Sequence, residues 1–428
     1  MRYSIKGATG QEVEATGGRK VKGTKRLGMV FADLTREQAS RLEARGAVVR
    51  KVERVQPGVV PAIAPPVVTP PTPIEALPLF TPAELKDALE LELVRGLTSP
   101  QPYGEGFNVA VIGSGIRGTH ELIKGRVVYK KNYTSDPAGD SFDHDTGVTS
   151  IILTMAPLCN ILDMKVLDDN GEGTDESVVL AIDDICDMHD TEHEYAPLVI
   201  NMSLGTVDTG DPDEPLRVAC REAINRNILI FAAAGNSGPY PGSIFSPACE
   251  RHVFAVGSVN PETGDVSNFS GRGPTMEGLI KPDALMYGEH IVVASSSSDR
   301  ATVPKSGTSF STPFLAGFAI MCRQGASIMW GESPGEPEEV TPKLKEEFWP
   351  AADLIESHLQ VACIKPEGAP AGKCNDCGYG LPYAPLALEK MGLVRPAIDV
   401  SGVIGALIPL MVIGMLGMVM GSMTKGFK

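Results

Sequence analysis

The chain has 428 residues, 43% of them hydrophobic and 21% charged, a composition typical of a folded protein with one large or two ordinary domains. Its 46 glycines and 34 prolines stay below the roughly 25 to 30% that marks low-complexity sequence, which argues against a disordered or fibrous chain. The net charge of −15 argues against a protein that binds nucleic-acid phosphates, so we expect no nucleic-acid partner.

The first 55 residues differ from the rest of the chain in charge. They carry 13 Lys and Arg against 6 Asp and Glu, a net charge of +7, and the remainder carries −22. Strand-like runs at 27–31 and 47–52, with a helix at 35–45 between them, predict a small α/β unit. The opposite charges favour docking of this unit on the acidic body, and a solvated basic terminus accounts for them equally well.

Residues 56–80 are predicted to be a spacer. Positions 56–78 hold eight prolines in 23 residues, which favours extended polyproline structure and cannot pack a core. Thr81-Pro-Ala-Glu then supplies an N-cap, a Pro at the first helical position and a Glu three residues after the cap. These residues predict a helix that runs to about residue 94.

From residue 107 onward, short apolar runs rich in β-branched residues alternate with helical stretches. This alternation predicts the α/β class, with a mainly parallel sheet covered by helices on both faces. Ligands of such sheets bind at the carboxyl ends of the strands, so the residues there are the candidates for a site. The predicted strands lie at 108–112, 161–166, 198–202, 228–232 and 253–256, and two of the predicted helices at 175–188 and 215–226.

Four segments near these strand ends carry groups suited to acyl transfer. Ser309, in Gly307-Thr-Ser-Phe-Ser-Thr-Pro, stands where a helix should begin, so backbone N–H groups and the helix dipole lie beside its hydroxyl. Asn236 offers an amide donor for an oxyanion, and His144 could act as a general base. The strand that ends in residues 203–205 has a backbone edge that could pair with a peptide. Each segment taken alone also fits a structural role, as an N-cap, a turn or a packed histidine.

The four segments together resemble the subtilisin-like serine proteases (the subtilase superfamily, peptidase family S8). Ser309 matches the nucleophile of the GTSxAxP motif, Asn236 the oxyanion-hole Asn of AAGN, and His144 the base of HGTHVAG. Asp140 matches the Asp that precedes this His in the family. Shorter elements that match the SSRGP, KPD and GYGL motifs lie at 270–274, 281–283 and 378–381.

This resemblance implies a three-layer α/β/α fold and a serine endopeptidase that hydrolyses peptide bonds through an acyl-enzyme. Substrate backbone is expected along Ser203, Leu204 and Gly205, and beside Gly235. Residues 1–55 resemble the inhibitor-type propeptide of the family, which makes them an expected partner of the catalytic domain alongside polypeptide substrates.

One motif departs from the family. Residues 109–115 read VAVIGSG where the family has VAVIDTG or VAVIDSG, so Gly113 stands where the Asp that orients the catalytic His is expected. Asp145 replaces a Gly of HGTHVAG, and Gly147 replaces its second His. Asp143 and Asp145 flank His144, but neighbours on a helix point about 100° apart, so neither is expected to replace the missing carboxylate.

Loss of that Asp leaves three hypotheses open. The first is an endopeptidase impaired by roughly 10⁴ to 10⁵ in turnover, the cost of the corresponding loss in subtilisin. The second is a pseudoprotease that acts as a membrane-anchored peptide-binding or structural module. The third is a deliberate substitution at Gly113, in which case Gly113→Asp should restore activity.

No cofactor or metal is expected. Residues 168–172 resemble part of a calcium loop but lack its full spacing, so a turn is favoured and calcium stays possible without assigned ligands. Cys374, Cys377 and Cys363 lie close in sequence without a fourth ligand, which favours buried thiols or one disulfide over zinc.

Residues 398–424 are predicted to be a C-terminal transmembrane helix. Positions 400–423 are 24 residues without a charge, and a helix of that length spans roughly 36 Å. A buried hairpin or an assembly surface is the alternative. Lys425 and Lys428 after the run favour the extracellular face for the large domain, although the N-terminus has no signal peptide. The expected organisation is a propeptide domain at 1–55, a linker at 56–80, a catalytic domain at 81–392 and the anchor at 398–424.

Overall fold

The computed structural model describes residues 1–57, 79–88, 103–329 and 362–383, and it begins with a small domain that has its own core. The elements of this domain are β1 (Arg2–Lys6), α1 (Gly10–Ala15), β2 (Arg19–Gly23), β3 (Met29–Asp33), α2 (Arg36–Glu43) and β4 (Val48–Lys51). The four strands form an antiparallel sheet in the order β2-β3-β1-β4, with Ile5, Val13 and Leu42 buried in the core. Thr35 caps α2 in a capping box with Gln38, which is why the helix begins there.

A seven-stranded parallel sheet forms the centre of the large domain. Its strands are β6 (Asn108–Gly113), β7 (Val127–Asn132), β8 (Asn160–Lys165), β10 (Val199–Met202), β12 (Leu229–Ala233), β14 (Phe254–Val259) and β15 (Ala284–Tyr287). They lie in the order β15-β14-β12-β10-β6-β8-β7, and every described pairing is parallel. The predicted α/β class with a mainly parallel sheet is confirmed.

Helices cover both faces of this sheet. They are α4 (Asp145–Met155), α5 (Asp175–Asp190), α6 (Pro215–Ile224) and α7 (Thr308–Met329). Val109 and Val111 of β6 belong to the same hydrophobic cluster as α4 and α7, whereas Ala110 and Ile112 belong to the cluster that contains α5 and α6. Alternate residues of one strand therefore face different helix layers, which gives the three-layer α/β/α arrangement.

Short elements complete the structure around the sheet edges. They are β5 (Arg54–Pro57), α3 (Pro82–Ala88), β9 (Gly173–Thr174), β11 (Leu204–Val207), β13 (Phe245–Ser246), β16 (Ile291–Ala294), β17 (Thr302–Lys305), β18 (Cys363–Ile364) and β19 (Leu381–Pro382). A small sheet in the order β13-β11-β5-β9 places β5, which follows the N-terminal domain, between two segments of the large domain. Cys374 and Cys377 form a disulfide, whereas Cys363 is a free thiol.

Two sequence predictions fall on parts of the chain that the structure does not describe. The proline-rich linker lies outside the described residues from position 58 to 78, and the whole predicted anchor at 398–424 lies outside them too. Within the described ranges, no helix has the length and apolarity needed to cross a bilayer.

Candidate active site

Ser309 lies at the start of the long helix α7 and is fully buried. Its hydroxyl donates to the backbone oxygen of Ser203 over 3.0 Å, and the Ser203 hydroxyl donates to the backbone oxygen of Ser309 over 2.8 Å. Gly307, with φ +148°, precedes the helix in a conformation that favours glycine. This reciprocal pair of hydrogen bonds fixes the beginning of α7 against the carboxyl end of β10.

Asn236 follows β12 and lies against the same helix start. Its Oδ1 accepts hydrogen bonds from both the backbone N–H and the hydroxyl of Thr308, each over 2.9 Å. Its Nδ2 is buried and has no hydrogen-bond partner within the described part of the chain. The amide is therefore held by its oxygen, and its N–H group is available for an acceptor beside Ser309.

His144 is the N-cap residue of α4, and its ring lies near the first turn of α7. The centroids of the His144 and Phe310 rings are 5.4 Å apart. Nδ1 lies 2.6 Å from Oδ1 of Asp145, and since a carboxylate only accepts hydrogen bonds, the proton is on Nδ1. Nε2 is buried without a partner among the described residues. His144, Asn236 and Ser309 are far apart in sequence, but all three lie at the first turn of α7.

The expectation that neither neighbour of His144 can reach its ring was wrong for Asp145. The expectation assumed that both residues lie on a helix, but His144 has φ −122° and ψ −60°, and the helix begins only at Asp145. Asp143 has a left-handed backbone conformation, with φ +60°. Its carboxylate accepts a hydrogen bond from the N–H of Ser296 instead of one from the His144 ring. Asp140 accepts from the backbone N–H of His144 over 3.1 and 3.2 Å and so fixes the loop.

Gly113 leaves the space that the Asp145 carboxylate fills. A Cβ atom built on Gly113 would lie 2.1 Å from Oδ2 of Asp145, far inside van der Waals contact. The same oxygen accepts a hydrogen bond from the N–H of Ser114 over 2.7 Å. A carboxylate therefore lies at the carboxyl end of β6 after all, but it comes from the residue that follows His144.

An extended segment of the chain lies along the edge of β11. Strand β5 pairs antiparallel with β11, so that Leu204 is opposite Pro57 and Gly205 opposite Gln56. A Cβ on Gly205 would lie 2.7 Å from the backbone oxygen of Ser246, so a larger residue would collide there. Gly235, with φ +109°, has the aromatic ring of Phe245 at 2.8 Å from its Cβ position.

Comparison with known proteins identifies the family. The model of the subtilase family, Peptidase_S8, matches residues 104–380. The chain belongs to the subtilase family. It is 30% identical over 284 residues to the serine protease AprX of Bacillus subtilis (strain 168), covering 56% of this chain and 61% of that protein. It is 30% identical over 257 residues to an intracellular serine protease of Paenibacillus polymyxa, covering 56% of this chain and 73% of that protein.

A solved structure agrees on the fold. The prenylagaramide maturation protease PagA covers 70% of this chain and 97% of its own, with a TM-score of 0.53 and 23% identity. The chain spans less than two thirds of the length of AprX and of a subtilisin of Bacillus sp. (strain TA39), where the covered shares are 61% and 56%.

Other carboxyl groups of this subtilase lie close to the His144 and Asp145 pair. Burial and the nearby charge of Asp145 raise the pKa of Asp140, and hydrogen bonds from Thr146 and Ser114 oppose this. Burial raises the pKa of Asp163 to about 7. The ammonium of Lys165 is buried and donates to the backbone oxygen of Ser114 over 2.8 Å. A cation therefore lies beside Ser114, the residue whose N–H also bonds the Asp145 carboxylate.

The loop that follows β8, which resembles part of a calcium loop in sequence, forms a turn. Oδ1 of Asp168 accepts from the backbone N–H groups of Asn170 and Glu172, the pattern of an Asx turn. Across the residues that the structure describes, no group of three or more His, Cys, Asp or Glu side chains could hold an ion.

Sequence reasoning missed one residue of this site, Asp145, although a signal for it was present. The loss of an acidic residue at Gly113 and the gain of one beside His144 are complementary changes. Gly147, where the family has its second His, has a packing reason: a Cβ there would lie 2.6 Å from Cγ2 of Val293.

Proposed function

We propose that the chain is a serine endopeptidase. Its substrate groove, which lies between β11 and β9, is occupied by β5, the strand that follows its own N-terminal domain. Ser309 attacks the scissile carbonyl, His144 accepts the hydroxyl proton and returns it to the leaving amine, and Asn236 with the backbone N–H of Ser309 binds the oxyanion. The observation that carries the proposal is the strand at 54–57, an extended polypeptide bound beside the segment that contains Ser203.

The backbone of β5 pairs with a strand of the large domain on each of its two edges. On one side β5 pairs with β11, and on the other it pairs with β9, where Arg54 is opposite Thr174 and Val55 opposite Gly173. The side chain of Val55 is fully buried, whereas that of Gln56 is exposed. Pro57 is buried as well, and since successive side chains of a strand point to opposite sides, the groove should accept apolar side chains at alternate positions of a substrate.

The hydroxyl of Ser309 does not donate a hydrogen bond to His144, the proposed base, in this structure with β5 in the groove. It donates to the backbone oxygen of Ser203, and Nε2 of His144 has no partner among the residues described. Attack requires the hydroxyl to turn and donate to Nε2 instead. The same observation favours the alternative, a pseudoprotease that binds peptides in this groove without cutting them.

A serine-directed fluorophosphonate separates these two functions. The endopeptidase should become labelled at Ser309, with no label in Ser309→Ala, because only an activated hydroxyl reacts with the phosphorus. Mass spectrometry of the labelled full-length protein locates the adduct. Absence of label from Ser309 even after the strand at 54–57 is displaced by a substitution in it, with retained binding of a Val-containing peptide, would leave the pseudoprotease as the function.

Replacement of Asn236 by Ala should lower kcat for a peptide substrate by about 10²- to 10³-fold, with KM nearly unchanged, because one donor to the oxyanion is lost. Steady-state kinetics measures this effect. Asn260→Ala serves as the control, since the Asn260 amide donates to Glu289 and to none of the proposed site residues. Equal kinetics of the two variants would remove Asn236 from the mechanism.

Charge complementarity supports the N-terminal domain as an inhibitory partner. One carboxylate, Asp183 of α5, accepts from the backbone N–H groups of Lys25, Arg26 and Leu27 over 2.6 to 3.0 Å. The side chains of Lys25 and Arg26 both bond Asp187, and these bonds lower the pKa of its carboxyl. A basic domain docked on an acidic helix fits the uneven charge of the sequence.

The segment 398–424, which contains the uncharged run at 400–423, is proposed to anchor the protein in a membrane, with the catalytic domain on the extracellular face. Fractionation of the full chain should place it with membranes, and removal of residues 398–428 should release it. Equal distribution of both forms would contradict the anchor.

A further inference from the structure

We propose that Asp145 supplies the carboxylate that orients and charges the His144 imidazole, in place of an acid at position 113. This makes Asp145 a positioning residue for the proton transfer between Ser309 and His144, and the inference rests on the proposed endopeptidase function. It differs from the usual arrangement of the family, in which the acid comes from the strand that ends at 113.

The contacts of the carboxylate fix it in one orientation. Oδ1 of Asp145 lies 2.6 Å from Nδ1 of His144, and Oδ2 accepts the N–H of Ser114 over 2.7 Å. The backbone N–H of Asp145 donates in turn to the hydroxyl of Ser114 over 3.0 Å. Both side chains are only 2% exposed, so water does not compete for the pair. Such a partner holds the proton on Nδ1 and leaves Nε2 as the acceptor that a general base needs.

Space at the strand end allows only one acid at a time. Oδ2, the carboxyl carbon and Oδ1 of Asp145 lie 2.1, 2.7 and 2.7 Å from the Cβ position of Gly113. A side chain at 113 would therefore displace the Asp145 carboxylate. It follows that the glycine at 113 and the aspartate at 145 form a matched pair, and that Gly113→Asp alone damages the site instead of repairing it.

The proton balance of the step assigns Asp145 an electrostatic part only. When the Oγ–carbon bond forms, the hydroxyl proton moves to Nε2 and the imidazole becomes a cation beside the Asp145 carboxylate. When the carbon–nitrogen bond of the peptide breaks, that proton leaves with the amine. Asp145 gains and loses no proton in either step, and it stabilises the cation between them.

Kinetics of four full-length variants test this assignment. Asp145→Asn, which keeps the shape of the side chain, should lower kcat by about 10⁴-fold with little change in KM. Gly113→Asp should also be strongly impaired. The double variant Gly113→Asp/Asp145→Gly should be at least a hundredfold faster than Gly113→Asp and than Asp145→Asn, because it moves the acid back to the strand. Asp143→Asn, which removes a charge on the other side of His144, should stay within a few-fold of the unmodified protein.

A spectroscopic measurement keeps the inference testable apart from turnover. In a Ser309→Ala background, which cannot cut itself, the Nδ1 proton of His144 should give a low-field NMR signal that Asp145→Asn removes. Loss of that signal together with an unmodified protein that neither cuts peptides nor reacts with fluorophosphonate would contradict the proposed function and uphold the pairing. A signal that persists in Asp145→Asn, or a kcat within tenfold of the unmodified protein, would overturn the role of Asp145.

Discussion

Replacement of Ser309 by Ala is expected to lower turnover of a peptide substrate by about 10⁶-fold, the scale of the loss when subtilisin loses its nucleophile. The physical reason is that the neighbouring hydroxyl at the start of α7, that of Thr308, is already bonded to Oδ1 of Asn236, which leaves Ser309 as the nucleophile of the proposed mechanism. The variant should stay folded, since Ala fills nearly the same volume. Initial rates on a fluorogenic peptide measure the loss, and thermal unfolding checks the fold.

Ser311→Ala is the matched control for this prediction. Ser311 lies two residues further along the same helix and is equally buried, but it makes none of the contacts to Ser203 that Ser309 makes. We expect its rates to remain within a few-fold of the unmodified protein. Comparable rates in Ser309→Ala and Ser311→Ala would show that hydrolysis proceeds elsewhere.

Replacement of Val55 by Asp should free the groove and raise the rate of Ser309 labelling by a fluorophosphonate at least tenfold. Val55 is fully buried in the hydrophobic cluster that also contains Leu204, and a carboxylate placed there costs several kcal/mol. The N-terminal domain stays tethered to the chain, so its effective concentration remains high and the release is incomplete. Labelling rates of the full chain at equal protein concentration give the result.

Gln56→Asp provides the control for charge alone. Gln56 adjoins Val55 on the opposite, exposed side of the same strand, so the added carboxylate stays in water. Its labelling rate should match that of the unmodified protein. If Val55→Asp and Gln56→Asp react equally fast, the strand at 54–57 does not control access to Ser309.

Much of the fold could be read from local patterns. Short apolar runs predicted β6, β8, β10, β12 and β14 to within a few residues, because a strand covered on both faces needs apolar side chains at nearly every position. The cap of α2 was equally visible, since Thr35 and Gln38 act through a hydrogen bond three residues apart. The insertion of β5 beside β11 was not visible, because that pairing joins residues almost 150 positions apart.

For the candidate site too, some features could be predicted from local sequence and others could not. The sequence alone predicted the family and the α/β class, both of which are confirmed, and it proposed Ser309, Asn236 and His144 as the site residues, because motif spelling and hydrophobic period are local properties of the chain. Only the tertiary structure showed which carboxylate contacts the imidazole of His144. The contact between Asp145 and the imidazole depends on two backbone conformations at 143 and 144 and on a missing Cβ at Gly113. No single motif predicts this contact, because the distance between the two side chains depends on backbone dihedral angles and on space left by a residue about 30 positions away.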